Sequence, residues 1–516
     1  MLRRLAEPLL EIRPDRLTSA SLIAAFLFVA IASGAVIASQ NLVLMALVCG
    51  AVLSVLLLNA PAIAVWIVLV GTLVVTGPLL FYFRELDRVP WIWSVLGIFL
   101  TIAAFLHGGL MRRGLQRGPV PAFVILGVVY VIYVLASMSW STVTLTVSGP
   151  GARRAVQYWG LFFALALIAF PDRTVGRWIV FFVVLGLSQF PYALYQRFVV
   201  HPTLTHNYVF DSIAGTLEVA WDGFGGASGV LAFMQIMLVA SMFAAWREKL
   251  IGRTALILAV IALMMPMAIG ETNILFIWVP LALGAVFFDL IRKRPLAFLG
   301  GSAIFGAVMV SFAMVYLVTQ QALPTANQGA RQQTLEERIR EVYEYNAGSR
   351  GYSNASDLNR TGVIPHWFRN NGLDSPIQTT FGHGIGASFA NPESATPLRA
   401  KFGDRSIDLI TVSAVLWDLG FVGALLYLGT MGLALLTGHH LTTVARPGID
   451  RAIARSLFAG LALLFSVGFY NNAMNSIASQ QVIGMLILGL TAWMARRYSA
   501  PSRSSDVADR GMFKSR

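Results

Sequence analysis

An all-α, polytopic integral membrane protein is the fold class this sequence predicts, and three observations predict it. The chain of 516 residues is 57% hydrophobic and only 12% charged, with a mean hydropathy of +0.70. Soluble chains carry about a quarter charged residues, so this one has too little charge to cover a water-facing surface. Its apolar residues also fall into long runs near the ~20 residues that a helix needs to cross a bilayer. Finally, arginines and lysines cluster on the joints between runs. A soluble multi-domain enzyme, a disordered chain and a collagen-like chain are excluded. The single cysteine, Cys49, excludes an intrachain disulfide and a Cys-based metal site.

Fourteen runs are candidate transmembrane helices: 18–38, 41–59, 62–83, 91–111, 120–140, 154–170, 177–197, 224–245, 254–270, 274–291, 296–318, 407–437, 454–471 and 478–495. The first follows Arg3, Arg4, Arg13 and Arg16 and ends in small residues, as a secretory signal does. It is longer than the about 7–15 residues of a signal's apolar core. More runs follow at once, so it reads as a retained first span. Pro61 divides the second run from the third, and a hairpin at Glu271–Asn273 divides the ninth from the tenth.

Alternating these runs from a cytoplasmic N-terminus sorts the basic residues. Of 38, 24 fall inside and 14 outside, nine of the latter in one long loop. Orientation rules count short joints and largely ignore long loops. Every inner joint except the short one at Asn59–Pro61 has a basic cluster, so both termini are expected to be cytoplasmic. With the acids included, the inner side carries +15, the outer side −1 and Asp418 within a span −1, making the formal +13. The basic balance is thus an orientation signal, and no nucleic-acid partner is expected.

The chain divides into residues 1–318 with eleven runs and an outer segment at 198–223, a long outer loop at 319–406, three more runs over 407–495, and a polar tail at 496–516 expected to be disordered. Within the loop, TLEERIREVYEY places Leu335, Ile339 and Val342 on one helical face. The spacing predicts an amphipathic helix over 328–345. A loop of this length in a compact membrane protein is usually functional.

Nine basic and nine acidic residues balance in the loop, counted to Asp408. No bulk field would draw in an anion, so individual arginines must do so through their bidentate fork. Arg331, Arg338 and Arg340 read as partners of nearby acids. Arg360, Arg369 and Arg405 lie in Gly- and Asn-rich backbone near the membrane, where function weighs as much as structure. Gly382, Gly384 and Gly386 form a G-x-G-x-G run. It lacks the strand and spacing of a dinucleotide fingerprint, and suits tight turns or close approach of backbone to a ligand.

Arg360, Trp367, Pro376 and the glycine run, followed in the next span by Asp418, Gly420 and Gly423 of WDLGFVG, resemble the O-antigen polymerase/O-antigen ligase family. Gly223-Phe224 with Leu231-Ala232, and Gly270-Glu271-Thr272 at an outer hairpin, resemble further motifs of that family. The resemblance covers roughly residues 190–435. Ligases of the family open the span after the loop with a His-Asn pair, where this chain has Leu409-Ile410, and place an arginine where it has Glu271-Thr272-Asn273. The departures favour an exopolysaccharide polymerase over a ligase.

The resemblance implies a bacterial inner-membrane glycosyltransferase. Its long loop would be periplasmic, and its donor a glycan on undecaprenyl diphosphate. Displacing diphosphate at an anomeric carbon needs cations for the leaving group and a base for the acceptor hydroxyl. Arg360 and Arg405 are the first candidates for the diphosphate, then Arg369, with Arg197 at the outer end of a span facing the same cavity. Asp408, Glu271, His366 and His383 are the candidate bases, Asp408 also being a candidate partner of Arg405. No cofactor and no metal are expected. The implied partners are the lipid-linked oligosaccharide, the bilayer, a chain-length regulator and a flippase. An O-antigen ligase or protein-glycosylating relative is the alternative, and a polysaccharide flippase or secondary transporter the second. Among other residues, Asp289 is expected to pair with Arg292 and Lys293 one turn away. Trp91, Trp93, Trp140, Trp159 and Trp178 read as interface anchors.

Overall fold

The computed structural model describes residues 34, 38, 40–58, 60–83, 86, 89–107, 118–200, 213–217, 227–270, 274–293, 296, 340, 358–372, 375–389, 396–402 and 406–499. These are all-α, and seven of their helices are long and apolar enough to cross a membrane. The amphipathic helix expected over 328–345 and the runs 18–38 and 296–318 lie outside the described residues, apart from Gly34, Ala38, Leu296 and Arg340.

The order of elements follows the apolar runs. α1 (Leu42–Leu57) and α2 (Pro61–Val70) are divided at Pro61. α2 continues through a π-helical turn at Gly71–Val75 into α3 (Thr76–Tyr82), so that Pro61–Tyr82 is one span. α4 (Pro90–Phe105) and α5 (Ala122–Ala136) follow. The expected span 154–170 is instead two pieces, α6 (Leu145–Val156) and α7 (Trp159–Leu167). At ~1.5 Å per residue, the nine residues of α7 cannot cross ~30 Å of hydrocarbon. Every one of them is buried, so α7 is an internal half-helix packed between α4 and the last helix.

α8 (Asp172–Tyr195) runs on through a second π-helical turn, Gln196–Val200. α9 (Ala227–Arg247), α10 (Arg253–Ile269), α11 (Leu275–Val286) and the short α12 (Phe288–Lys293) complete this part. Three short helices punctuate the loop: α13 (Val363–Asn371), α14 (Pro376–Phe381) and α15 (Pro397–Phe402). Then come α16 (Thr411–Val444), α17 (Ile449–Tyr470), the four-residue α18 (Ala473–Ser476) and α19 (Ala478–Ser499). α19 continues past 495, so Arg496 and Arg497 stand in its last turn. The apolar stretch of α19 is wholly enclosed by neighbours and that of α9 mostly so, which makes them the axis of the bundle.

The two ends of the bundle separate as the arginine distribution predicts. Joints assigned to the inner side meet one another through ion pairs. Arg247 bonds Asp289 at 2.5 Å, Arg455 bonds Glu248, and Arg497 lies 3.3 Å from Asp172. Asp289 finds a cation on α9 and, at 3.7 Å, another on α17; the side chain of Arg292, one of its expected partners, lies outside what the structure describes. Tertiary packing supplies a bidentate guanidinium, where a same-helix pair would be worth only a few tenths of a kcal/mol. Arg496 donates to the carbonyls of Ala166 (2.7 Å) and Gly118 (3.2 Å), closing the ends of neighbouring segments. Two expected interface anchors are core residues: Trp178 is fully buried against Phe170, and Trp159 packs between Tyr130 and Phe162.

Candidate functional site

The site begins with a break in α16. Gly420 stands at φ +65°, ψ −163°, a conformation that a residue with a Cβ rarely adopts. The break interrupts the helical bonding around it, and inside a bilayer each carbonyl left over must find another donor. They do. The N–H of His383 donates to the Trp417 carbonyl (2.9 Å), the N–H of Gly384 to that of Asp418 (2.9 Å), and the Tyr133 hydroxyl to that of Leu419 (3.0 Å). The glycine run is the strand of backbone that mends the broken helix. Gly384 has φ +90°, and a Cβ there would sit 2.2 Å from Ser141 Cα. No other residue fits.

The Asp418 side chain completes the joint from the other direction. Its carboxylate accepts the N–H of Ser388 (2.7 Å) and that of Gly386 (3.0 Å). The acid-x-Gly of WDLG and the G-x-G-x-G run are therefore two halves of one interlock. It seats the loop 382–389 on α16 and against α6, whose Gly151 approaches Gly386 so closely that a Cβ would fall 2.8 Å from its Cα.

Beside the interlock lies a cavity of about 70 Å³. Its lining includes Asp408 and Asp418, Arg154 from α6, Tyr130 from α5, and Asn472, Asn475 and Ser476 from the α17–α19 connection. A water needs ~10–15 Å³ by this measure, so the cavity holds a few waters or one reacting group, with the rest of any ligand outside. Arg399 of α15 bonds Asp408 at 3.0 Å, and the two side chains are only 15% and 17% exposed. The Arg154 guanidinium lies 3.8 Å from the centre of the Phe389 ring. Burial pushes the Asp408 carboxyl above the ordinary carboxylate range, against the opposing pull of Arg399 and Arg154. The arrangement offers a proton acceptor next to fixed cations.

Of the candidate bases, Asp408 lines this cavity, and its partner is Arg399. His366 and His383 meet around Trp417, with ring centroids 6.4 and 5.9 Å from it. His383 Nε2 lies 3.2 Å from Asn371 Oδ1, and burial, then Lys401, push this histidine's pKa down. Neither histidine is in the cavity lining. Arg360 donates from Nε to the Tyr470 carbonyl (2.6 Å) and stacks on the Tyr470 ring at 4.1 Å, closing the end of α17 just before the cavity connection. Arg369 is exposed on α13, and Arg197 is half-buried in the π-helical turn after α8. Gln196, beside it, clamps Gly215 through two bonds, with the Gln196 amide donating to the Gly215 carbonyl and the Gly215 N–H donating back. Glu271 and Arg405 lie outside the described residues.

Arg154 and Arg399 were missed as site residues, and so was the Asn472–Ser476 segment. Arg154 had one signal: it belongs to a pair, Arg153-Arg154, on a short outer joint where the orientation rule wants no cation. Among the described residues, no group of three or more His, Cys, Asp or Glu side chains gathers as a metal site. The chain matches no protein-family model and no curated protein. What can be said plainly is that this is a helical multi-span membrane protein with a polar cavity at one end.

Proposed function

We propose that this chain is an inner-membrane polysaccharide polymerase with both termini cytoplasmic, α6 and α7 together standing where one span was expected, and the cavity opening to the periplasm. It would transfer a glycan from undecaprenyl diphosphate to a sugar hydroxyl. The observation that carries the reading is that Asp408 and Arg154 line one cavity, with Arg399 bonded to Asp408 from behind it, on the end of the bundle where the short joints carry few cations. Of the motif residues behind the resemblance, Gly386 and Asp418 line the same cavity, and Gly382, Gly384 and Gly420 belong to the joint beside it.

In this reaction the acceptor oxygen attacks the anomeric carbon. The bond from that carbon to the diphosphate oxygen breaks, the diphosphate leaves with the electron pair, and the hydroxyl proton passes to Asp408. A carboxylate raised by burial is a stronger base than an exposed one. Arg154 meets the charge that grows on the leaving diphosphate. Arg399 orients Asp408, and Arg405, three residues earlier in sequence, is a further candidate for the diphosphate. Asp418, held by two backbone N–H groups, positions the loop. A ligase would use the same chemistry with another acceptor.

Deletion of the gene tests the reading. The expected phenotype is loss of long chains, with single lipid-linked repeat units still reaching the periplasmic face. Repeat units trapped at the cytoplasmic face would instead indicate a flippase, and chains of normal length lacking only their final attachment would indicate a ligase.

A further inference from the structure

The cavity has two chemically different sides. One carries Asp408, Asp418 and Arg154; the other is the neutral row Asn472, Asn475 and Ser476 on and beside α18. This row is fixed from behind. Thr411 donates its N–H (3.0 Å) and its hydroxyl (2.9 Å) to the Asn471 carbonyl, Asn471 Oδ1 accepts the N–H of Ala473 (3.1 Å), and Ala473 and Met474 are buried. Asn475 Nδ2 donates to Asn472 Oδ1 at 3.0 Å. That bond uses one oxygen and one N–H of the pair. The Asn472 amide N–H groups and the Asn475 amide oxygen then supply a donor and an acceptor on a rigid frame.

A diphosphate needs cations and gains little from this side. A sugar hydroxyl donates and accepts at once, and a fixed amide pair matches it. We propose that Asn472 and Asn475, with Ser476 at the rim, form the acceptor subsite. There they bind a neutral polyhydroxylated glycan end by its hydroxyl groups and hold the attacking hydroxyl within reach of Asp408, which lines the same cavity. The inference rests on the transferase reading given above and deepens it by assigning the two sides of the cavity to two substrates.

The test uses the full chain in lipid nanodiscs and two probes. Lipid-linked glycan is extracted from cells lacking the protein, and mild acid releases its glycan from the lipid diphosphate. The released glycan carries the acceptor hydroxyls without the diphosphate; undecaprenyl diphosphate carries the reverse. Asn472→Ala with Asn475→Ala is expected to weaken binding of released glycan at least tenfold and to leave binding of undecaprenyl diphosphate unchanged, which also shows that the variant is folded. Arg154→Ala is expected to do the opposite. Asn475→Ser, a milder change, is expected to weaken the glycan about threefold. If the asparagine variants bind both probes as the unaltered chain does, the acceptor assignment is overturned and the transferase reading stands. If the unaltered chain binds neither probe, the transferase reading fails, and the assignment with it.

Discussion

The two ends of this bundle use charge in opposite ways. At one end, arginine meets carboxylate across helices: Arg247 with Asp289, Arg455 with Glu248 and Arg497 with Asp172. Those charges tie α8, α9, α12, α17 and α19 together. At the other end, the Asp418 carboxylate is held by backbone N–H groups, Asp408 shares its site with Arg399 and a cavity, and a helix is broken to make the space. Broken backbone at membrane depth is tolerated only where it is buried in protein or lines a cavity. Salt bridges alone therefore do not mark a functional end; irregular backbone whose every carbonyl has been supplied with a donor does.

Substitutions at the two ends are expected to separate stability from transfer. Asp408→Asn keeps the shape and removes the base. It is expected to lower transfer at least 100-fold, the usual range for losing a general base, with little change in thermal unfolding. At the opposite end, Glu248→Ala takes the nearer carboxylate from the Arg455 guanidinium and leaves it Asp289 at 3.7 Å. Breaking a buried pair costs about 3–5 kcal/mol, so unfolding in detergent shifts well down while the remaining folded protein transfers normally. Gly384→Ala, where a Cβ meets Ser141, bridges the two behaviours: it is expected to unseat the loop, lowering both the unfolding temperature and transfer, the latter about tenfold.

Acidity gives a finer probe of the cavity end. Transfer needs ionised Asp408, so its rate rises as pH climbs through this group's pKa. Burial places that limb above the ordinary carboxylate range. Arg399 is the foremost influence pulling the pKa down, so Arg399→Gln is expected to move the limb to still higher pH, whereas Arg497→Gln at the opposite end leaves it unchanged. A pH–rate profile of the two variants decides this. The smallest effect is expected at Arg360, which closes α17 through the Tyr470 carbonyl. Arg360→Ala should cost about 1.5–3 kcal/mol of stability, the range for a hydrogen bond from a charged group, and leave binding of undecaprenyl diphosphate unaltered.

Much of this was legible in the sequence. The apolar runs marked the helices, and the arginine clusters marked the end that the inter-helix ion pairs now join. The glycine run and WDLG were visible as motifs, but their mutual role was not. The glycines and Asp418 are some thirty residues apart, and a bond such as Gly386 N–H to Asp418 Oδ2 has no periodicity to betray it. The half-helix α7 was read as a span because apolar composition does not distinguish a segment buried in protein from one facing lipid. Arg399 was lost among nine cations that composition alone ranks equally. Asn472 stood out only as a polar residue at a span end and Asn475 not at all, since what gives them weight is the cavity they line.

The most direct test is elongation by the purified chain. The full-length protein in nanodiscs is supplied with lipid-linked glycan from cells that lack it, and the products are resolved by size. Unaltered protein and Arg497→Gln should both lengthen the glycan, while Asp408→Asn should leave single units. Elongation by Asp408→Asn at the unaltered rate would contradict the assignment of the cavity as the place where transfer occurs.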